Sequence, residues 1–157
     1  IPLTSVEYDE RLSVPFRWWV QGTMLVASLW LAMIVALPST AAWAITAVAM
    51  AVLALGLVNY GAARVSVEGA HLRAGRARIA ALHLGRSSAL DAEATRRISG
   101  VEADARAYLL LRPYLKRAVQ VEIADPADPT PYWLISTRHP DELARVLTEL
   151  TESSAAG

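Results

Sequence analysis

Residues 18–63 read WWVQGTMLVASLWLAMIVALPSTAAWAITAVAMAVLALGLVNYGAA and contain no Asp, Glu, Lys, Arg or His. A soluble helix needs one apolar stripe, whereas this run is apolar on every side, which is the pattern of membrane-embedded chain. It is too long for one span and the right length for two, and Pro38-Ser39-Thr40 near its middle offers the break. The sequence therefore predicts a helical hairpin, Trp18–Leu37 and Ala41–Tyr60, joined by a short turn. Each half gives about 20 residues, and at about 1.5 Å per residue that covers a hydrocarbon core of about 30 Å. The chain has 157 residues. The roughly 90 that follow the hairpin make one small domain, too small to wrap two all-apolar helices.

The flanks agree with these boundaries. Val14-Pro15-Phe16 marks entry to the first helix, because proline is tolerated in a first turn. Trp18, Trp19, Trp43 and Tyr60 fall at span ends, where an aromatic ring with a polar handle suits the headgroup level. Arg11 and Arg17 precede the run, Arg64, Arg73, Arg76 and Arg78 follow it, and the turn at Pro38–Ala42 carries no basic residue. By the positive-inside rule both termini are expected in the cytoplasm, in a multi-pass protein of the cell (inner) membrane. Arg11 and Arg17 before an apolar run also suit a secretory signal. That run is longer than a usual signal core, however, and cleavage would leave a second span at the new N-terminus. No ionisable group lies within the spans, which argues against a proton relay or ion path. Small residues such as Ala27, Ser28, Ala32 and Ala36, and Ala47, Ala51, Ala54 and Gly56, suit close packing within the hairpin or against another membrane protein.

The totals narrow the function classes. Net charge is zero and the sequence pI is near 7.0, which argues against a dedicated nucleic-acid binder. The chain has no cysteine, so disulfide scaffolds, thiolate metal sites and thiol catalysis are excluded. Lys116 is the only lysine and alanine is abundant, as in high-GC bacterial coding.

Residues 1–17 read as a cytoplasmic tail and 18–63 as the hairpin. Residues 64–152 read as a cytosolic domain, and 153–157 as a second tail. Arg64–Glu68 alternates, with Val65 and Val67 on one face. His71–Arg73 and Ala77–Ala81 follow as short strands. An apolar face at Leu82, Leu84 and Leu90 is interrupted by Gly85-Arg86-Ser87-Ser88. Asp91–Ile98 suits a short helix with Asp91 as N-cap and Gly100 as stop. Ala107–Leu111, Ala118–Ile123 and Tyr132–Thr137 complete about six or seven strands. The stiff loop Asp125–Pro131 separates the last two. A final helix, about Pro140–Thr151, carries the stripe Leu143, Val146, Leu147 and Leu150. The fold class is a transmembrane α-helical hairpin plus a small α+β domain. That domain is mainly antiparallel β with a C-terminal helix, in an order similar to pleckstrin-homology-like (PH-like) domains.

Two segments carry a further resemblance: Asp104-Ala105-Arg106-Ala107-Tyr108-Leu109-Leu110-Leu111-Arg112-Pro113, and Asp125 through Arg138. Tyr8-Asp9-Glu10-Arg11-Leu12 and Leu90-Asp91-Ala92-Glu93 fit with them. On these the chain resembles the alanine-rich, two-span membrane proteins of actinobacteria that are catalogued as a domain of unknown function. The resemblance runs through nearly the whole chain. It implies an inner-membrane protein of a high-GC Gram-positive bacterium and implies no activity.

Catalytic signatures are sparse. His71, His83 and His139 have no close carboxylate or second histidine at metal-ligand spacing. Asp125 and Asp128 lie among prolines without EF-hand spacing. No nucleophile elbow or phosphate loop surrounds Ser87-Ser88. The expectation is therefore a protein that is not an enzyme and has no catalytic residue, cofactor or metal. Its partners are expected to be membrane lipids and a membrane protein or a second copy, with no nucleic acid. The leading function is an accessory or scaffold module docking a membrane-protein partner, with Arg112, Tyr114, Lys116, Tyr132 and Arg138 as candidate contacts. The alternative is a regulator binding anionic lipid headgroups through Arg64, Arg73, Arg76 and Arg78. A third reading, an enzyme acting on lipid or cell-wall intermediates, needs a carboxylate or histidine site assembled in space.

Overall fold

The structure, a computed structural model, describes residues 8–155. It begins with strand β1 (Tyr8–Arg11) and helices α1 (Phe16–Ala36) and α2 (Ser39–Tyr60). Strands β2 (Arg64–Glu68), β3 (His71–Ala74), β4 (Ala77–Ala80) and β5 (Leu84–Leu90) follow, then helix α3 (Ala92–Ser99). Strands β6 (Tyr108–Leu110), β7 (Ala118–Ile123) and β8 (Tyr132–Ser136) lead to helix α4 (Pro140–Ala155). The chain divides into a hairpin unit, Ser13–Ala62, and a sheet unit built from the chain on either side of it.

In the hairpin unit, prolines set the helix starts. Pro15 and Pro38 each stand in extended backbone immediately before a helix. Leu37 is extended as well (φ −125°, ψ 157°), because the residue before a proline is driven out of the helical region. That restriction ends α1 where the sequence places the break. Both helices are long and apolar enough to cross a membrane. Within the unit Gly22 lies against Leu53, where a Cβ would come within 2.8 Å of Leu53 Cδ2. Trp18 stacks on Tyr60 at a centroid distance of 6.2 Å, and Trp30 meets Trp43 at 5.2 Å. Ser28 and Thr46 donate to the carbonyls of Met24 and Ala42, one turn back, which satisfies hydroxyls that apolar surroundings could not. Ala42 is the one buried residue of the two helices.

In the sheet unit, β1-β2-β3-β4 form one sheet with antiparallel neighbours throughout. The second sheet has the order β5-β7-β8-β6. Alternation buries Val65, Val67, Leu72 and Ala74 from the first sheet, and Val119, Val121, Trp133 and Ile135 from the second, in one core. The α4 stripe of Leu143, Val146, Leu147 and Leu150 joins that core. It packs over β5, β7 and the 3-10 turn Ala81–His83. Each fully buried leucine contributes about 1.5–3 kcal/mol. The two tight turns of the first sheet use Gly69 (φ 57°) and Gly75 (φ 61°), a left-handed conformation that costs glycine nothing.

Three expectations are corrected. The segment expected as an N-terminal tail supplies β1, because Tyr8, Glu10 and Leu12 alternate inward while Asp9 and Arg11 face out. Residues 1–7 of that tail, and 156–157 of the other, lie outside the described residues. β1 pairs with β2, Arg11 opposite Arg64, and Leu12 N–H donates to the Ala63 carbonyl at 2.9 Å. The hairpin is thus an insertion between two adjacent, paired strands. The apolar face expected at Leu82, Leu84 and Leu90 does not form as one: Leu82 is exposed and of the three only Leu84 is buried, while β5 runs through Gly85–Ser88 with a register shift between Leu84 and Ser87. A Cβ on Gly85 would lie 3.0 Å from the Glu122 Cβ, so the irregular strand approaches β7 closely there. β6 runs parallel to β8, and the other strand pairs are antiparallel, in keeping with a mainly antiparallel domain. Finally, α4 continues to Ala155, into the segment expected as a tail.

Candidate functional site

The feature that stands out in the sheet unit is a buried carboxylate. Glu10 is 8 % exposed, and a carboxylate is seldom so enclosed unless it is fully paired. Three donors meet it. Tyr8 OH reaches Oε2 at 2.8 Å, Thr137 Oγ1 reaches Oε2 at 2.5 Å, and Arg138 N–H reaches Oε1 at 2.8 Å. Thr137 Oγ1 in turn accepts from His139 N–H at 3.0 Å, just before α4 begins. The cluster therefore ties β1 to the junction of β8 and α4. Two further bonds hold the same strand end: Tyr114 OH to the Leu12 carbonyl at 2.6 Å, and Arg138 Nη1 to the Arg11 carbonyl at 3.2 Å. Burial drives the Tyr8 phenol well above its ordinary value. The hydrogen bond between Tyr8 OH and Thr137 Oγ1, at 3.3 Å, opposes this, and the Glu10 carboxylate reinforces it.

A groove of about 490 Å³ runs past this clasp, lined by Tyr8, Asp9, Arg11, Arg138, His139 and Glu142 besides Glu10. Its walls mix both signs of charge. Both oxygens of Glu10 accept from donors of the fold itself, so the clasp holds a strand in place.

The candidate partner contacts are placed by internal work. Tyr114 and Arg138 brace β1 as described. Tyr132 OH accepts from Asp104 N–H at 3.2 Å, fixing the loop before β6. Arg112 N–H donates to Ser136 Oγ at 3.0 Å and its Nη1 to the Leu111 carbonyl at 3.0 Å. Lys116 is exposed. The structure thus gathers Tyr114 and Arg138 at one strand end and sets Tyr132 at another loop. The candidate headgroup contacts do gather. Arg64, Arg73 and Arg78 are exposed on the outward face of the first sheet, and Arg76 is exposed in its β3–β4 turn.

The histidine reading needs one amendment. His83 Nδ1 lies 3.8 Å from Asp125 Oδ2, a proximity made by folding and invisible in the spacing. Asp125 and Asp128 also accept from Ala127 and Thr130 N–H, each at 2.9 Å, so these carboxylates stiffen their own loop. Among the described residues no three His, Cys, Asp or Glu side chains gather into a metal-binding group. Asp104, bonded to the Arg106 N–H and guanidinium, is held below the usual carboxylate range.

Sequence reasoning missed Tyr8, Glu10 and Thr137. The available signal was the alternation Tyr8-Asp9-Glu10-Arg11-Leu12, whose inward positions include a carboxylate where an apolar residue is expected. Comparison with the curated proteins and with the solved structures finds no match. The model of the family described as "Protein of unknown function (DUF3093)" matches residues 7–147, from β1 through the hairpin and both sheets into α4, and the chain belongs to that family.

Proposed function

We propose that the chain is an integral membrane protein whose α1–α2 hairpin crosses the bilayer with its turn outside and both flanks cytoplasmic. Its sheet unit then acts as a non-enzymatic accessory or scaffold module that docks a membrane-protein partner. The observation that carries this reading is the insertion of an all-apolar hairpin between two paired strands. A domain so connected is held at the membrane surface from both ends of the insertion. The orientation rests on arginine placement, with Arg11, Arg17 and Arg64 beside the helices and none at the turn. Two four-stranded sheets closed by a C-terminal helix support a PH-like reading at the level of element order, which by itself assigns no activity. The commitment of Glu10, Asp104, Asp125 and Asp128 to hydrogen bonds of the fold supports a binding role over a catalytic one.

The test is gentle detergent extraction of the tagged full-length chain from its native membrane, followed by size separation and identification of what co-elutes. A membrane protein in stoichiometric amount, lost with Lys116→Glu, is the expected result. A clean monomer or homodimer overturns the docking role.

A further inference from the structure

The outward face of the first sheet carries its charge unevenly. Arg11 stands directly opposite Arg64 across β1 and β2, and Arg73 stands directly opposite Arg78 across β3 and β4. All four are exposed. Directly opposite residues of an antiparallel pair hold their Cβ atoms about 4.5–5.5 Å apart, where like charges repel and opposite charges are favoured. This sheet places arginine opposite arginine twice. Gly75 N–H donates to the Arg64 carbonyl at 2.8 Å, so the Gly75-Arg76 turn lies at the same end and adds a fifth. Among the described residues, none of the five forms an ion pair. Asp9 shares the face, in line with Ser66 and Arg73, while Glu68 lies at the far end opposite His71. The face is therefore basic at the end where the chain leaves for the hairpin and returns from it, mixed in the row of Asp9, Arg73 and Arg78, and carries Glu68 at the far end.

We infer that Arg11, Arg64, Arg73, Arg76 and Arg78 form a contact surface for the anionic lipid headgroups of the bilayer. The inference rests on the membrane-anchored reading above. Only Gly61, Ala62 and Ala63 separate Tyr60 from Arg64, a tether of at most about 14 Å of extended chain. The basic end thus stays within reach of the headgroup layer. Guanidinium groups bind phosphate through paired, planar hydrogen bonds. A phosphate seated between two facing arginines turns their repulsion into attraction for the lipid. Asp9 alone does not balance five arginines on this face, and an anionic leaflet does.

The absence of cysteine makes the test direct. Ser66→Cys, between Asp9 and Arg73 on this face, carries one fluorescent label on the full-length chain in nanodiscs of phosphatidylcholine with or without phosphatidylglycerol. The label becomes several-fold less accessible to a soluble quencher in the anionic discs. High salt reverses the protection, and so does the double variant Arg73→Gln/Arg78→Gln. In detergent the same double variant matches or exceeds the thermal stability of the parent, because a repulsive pair has gone; a purely structural role predicts a loss. Equal quenching in both lipids, with the chain still in the discs, overturns the lipid contact and leaves the anchor intact. Equal protection in both lipids also overturns it, because the face is then covered without regard to headgroup charge. A chain that does not co-elute with discs overturns the anchor and this inference together.

Discussion

In the sheet unit Leu12, Leu72, Leu134, Leu143 and Leu147 have no exposure, whereas in the hairpin Leu25, Leu31 and Leu55 are 73, 63 and 67 % exposed. The residue type is the same and the surroundings differ. The sheet unit excludes water with its own two layers and α4. The hairpin buries Ala42 and little else, so its apolar surface needs an apolar phase from outside. Each leucine left in water forfeits about 1.5–3 kcal/mol, and a run of them is tolerable only in lipid or against another protein. The difference teaches that apolar content alone does not define a core. What defines it is whether the chain supplies a second surface.

That contrast can be broken most sharply by truncating one leucine in each region. Leu147→Ala is expected to destabilise the sheet unit by about 2–5 kcal/mol, because the cavity it leaves is enclosed. Leu25→Ala is expected to leave the same unit within about 0.5 kcal/mol. Hydrogen exchange of the β7 and β8 amides, on the full chain in micelles, reads both. Equal losses would mean that the two regions share one core.

A smaller effect tests how the sheet unit holds the strand that leads into the hairpin. Glu10→Ala leaves Tyr8 OH, Thr137 Oγ1 and Arg138 N–H without their acceptor, at a cost of about 3 kcal/mol. Exchange should quicken first in β1 and its neighbour β2. Uniform quickening across both sheets would show that the clasp is not local.

The smallest effect is a pH dependence confined to the sheet unit. The Tyr8 phenol is raised above its ordinary 10.0 in the folded chain, so the folded state keeps a proton that the unfolded state releases. Its stabilising contribution is complete below about pH 10 and is lost as pH rises above that value. Melting curves of the full chain taken across this range should slope downward, and Tyr8→Phe should flatten the slope. An unchanged slope in Tyr8→Phe would assign the alkaline loss to other groups.

The hairpin was legible because lack of charge is a local property: α1 and α2 each begin two residues before the sequence reading and end within one of it. Ala118–Ile123 was legible through its strict alternation and is β7 as read. β1 was not, since its partner β2 lies beyond the hairpin and one of its inward residues is a carboxylate. For the same reason the segment after the hairpin, taken alone, lacks a strand of its own sheet. The clasp joins Glu10 to Thr137, 127 residues apart, and no periodicity reports a contact at that range. Arg138 and Tyr114 were visible as residue types. Their roles were not, because they donate to backbone carbonyls, which leave no mark in a sequence. The basic face was half legible. Arg64, Arg73, Arg76 and Arg78 could be grouped by nearness in sequence, but Arg11 joins them only through strand pairing.

The most direct test of the account is the position of the hairpin in a membrane. Single cysteines at Thr40, in the first turn of α2, and at Ala103, exposed in the sheet unit, give two reporters in a chain that has no cysteine of its own. In intact cells a membrane-impermeant maleimide is predicted to label Thr40→Cys and to reach Ala103→Cys only after permeabilisation. Labelling of both from the same side, or of Ala103→Cys alone in intact cells, would contradict it.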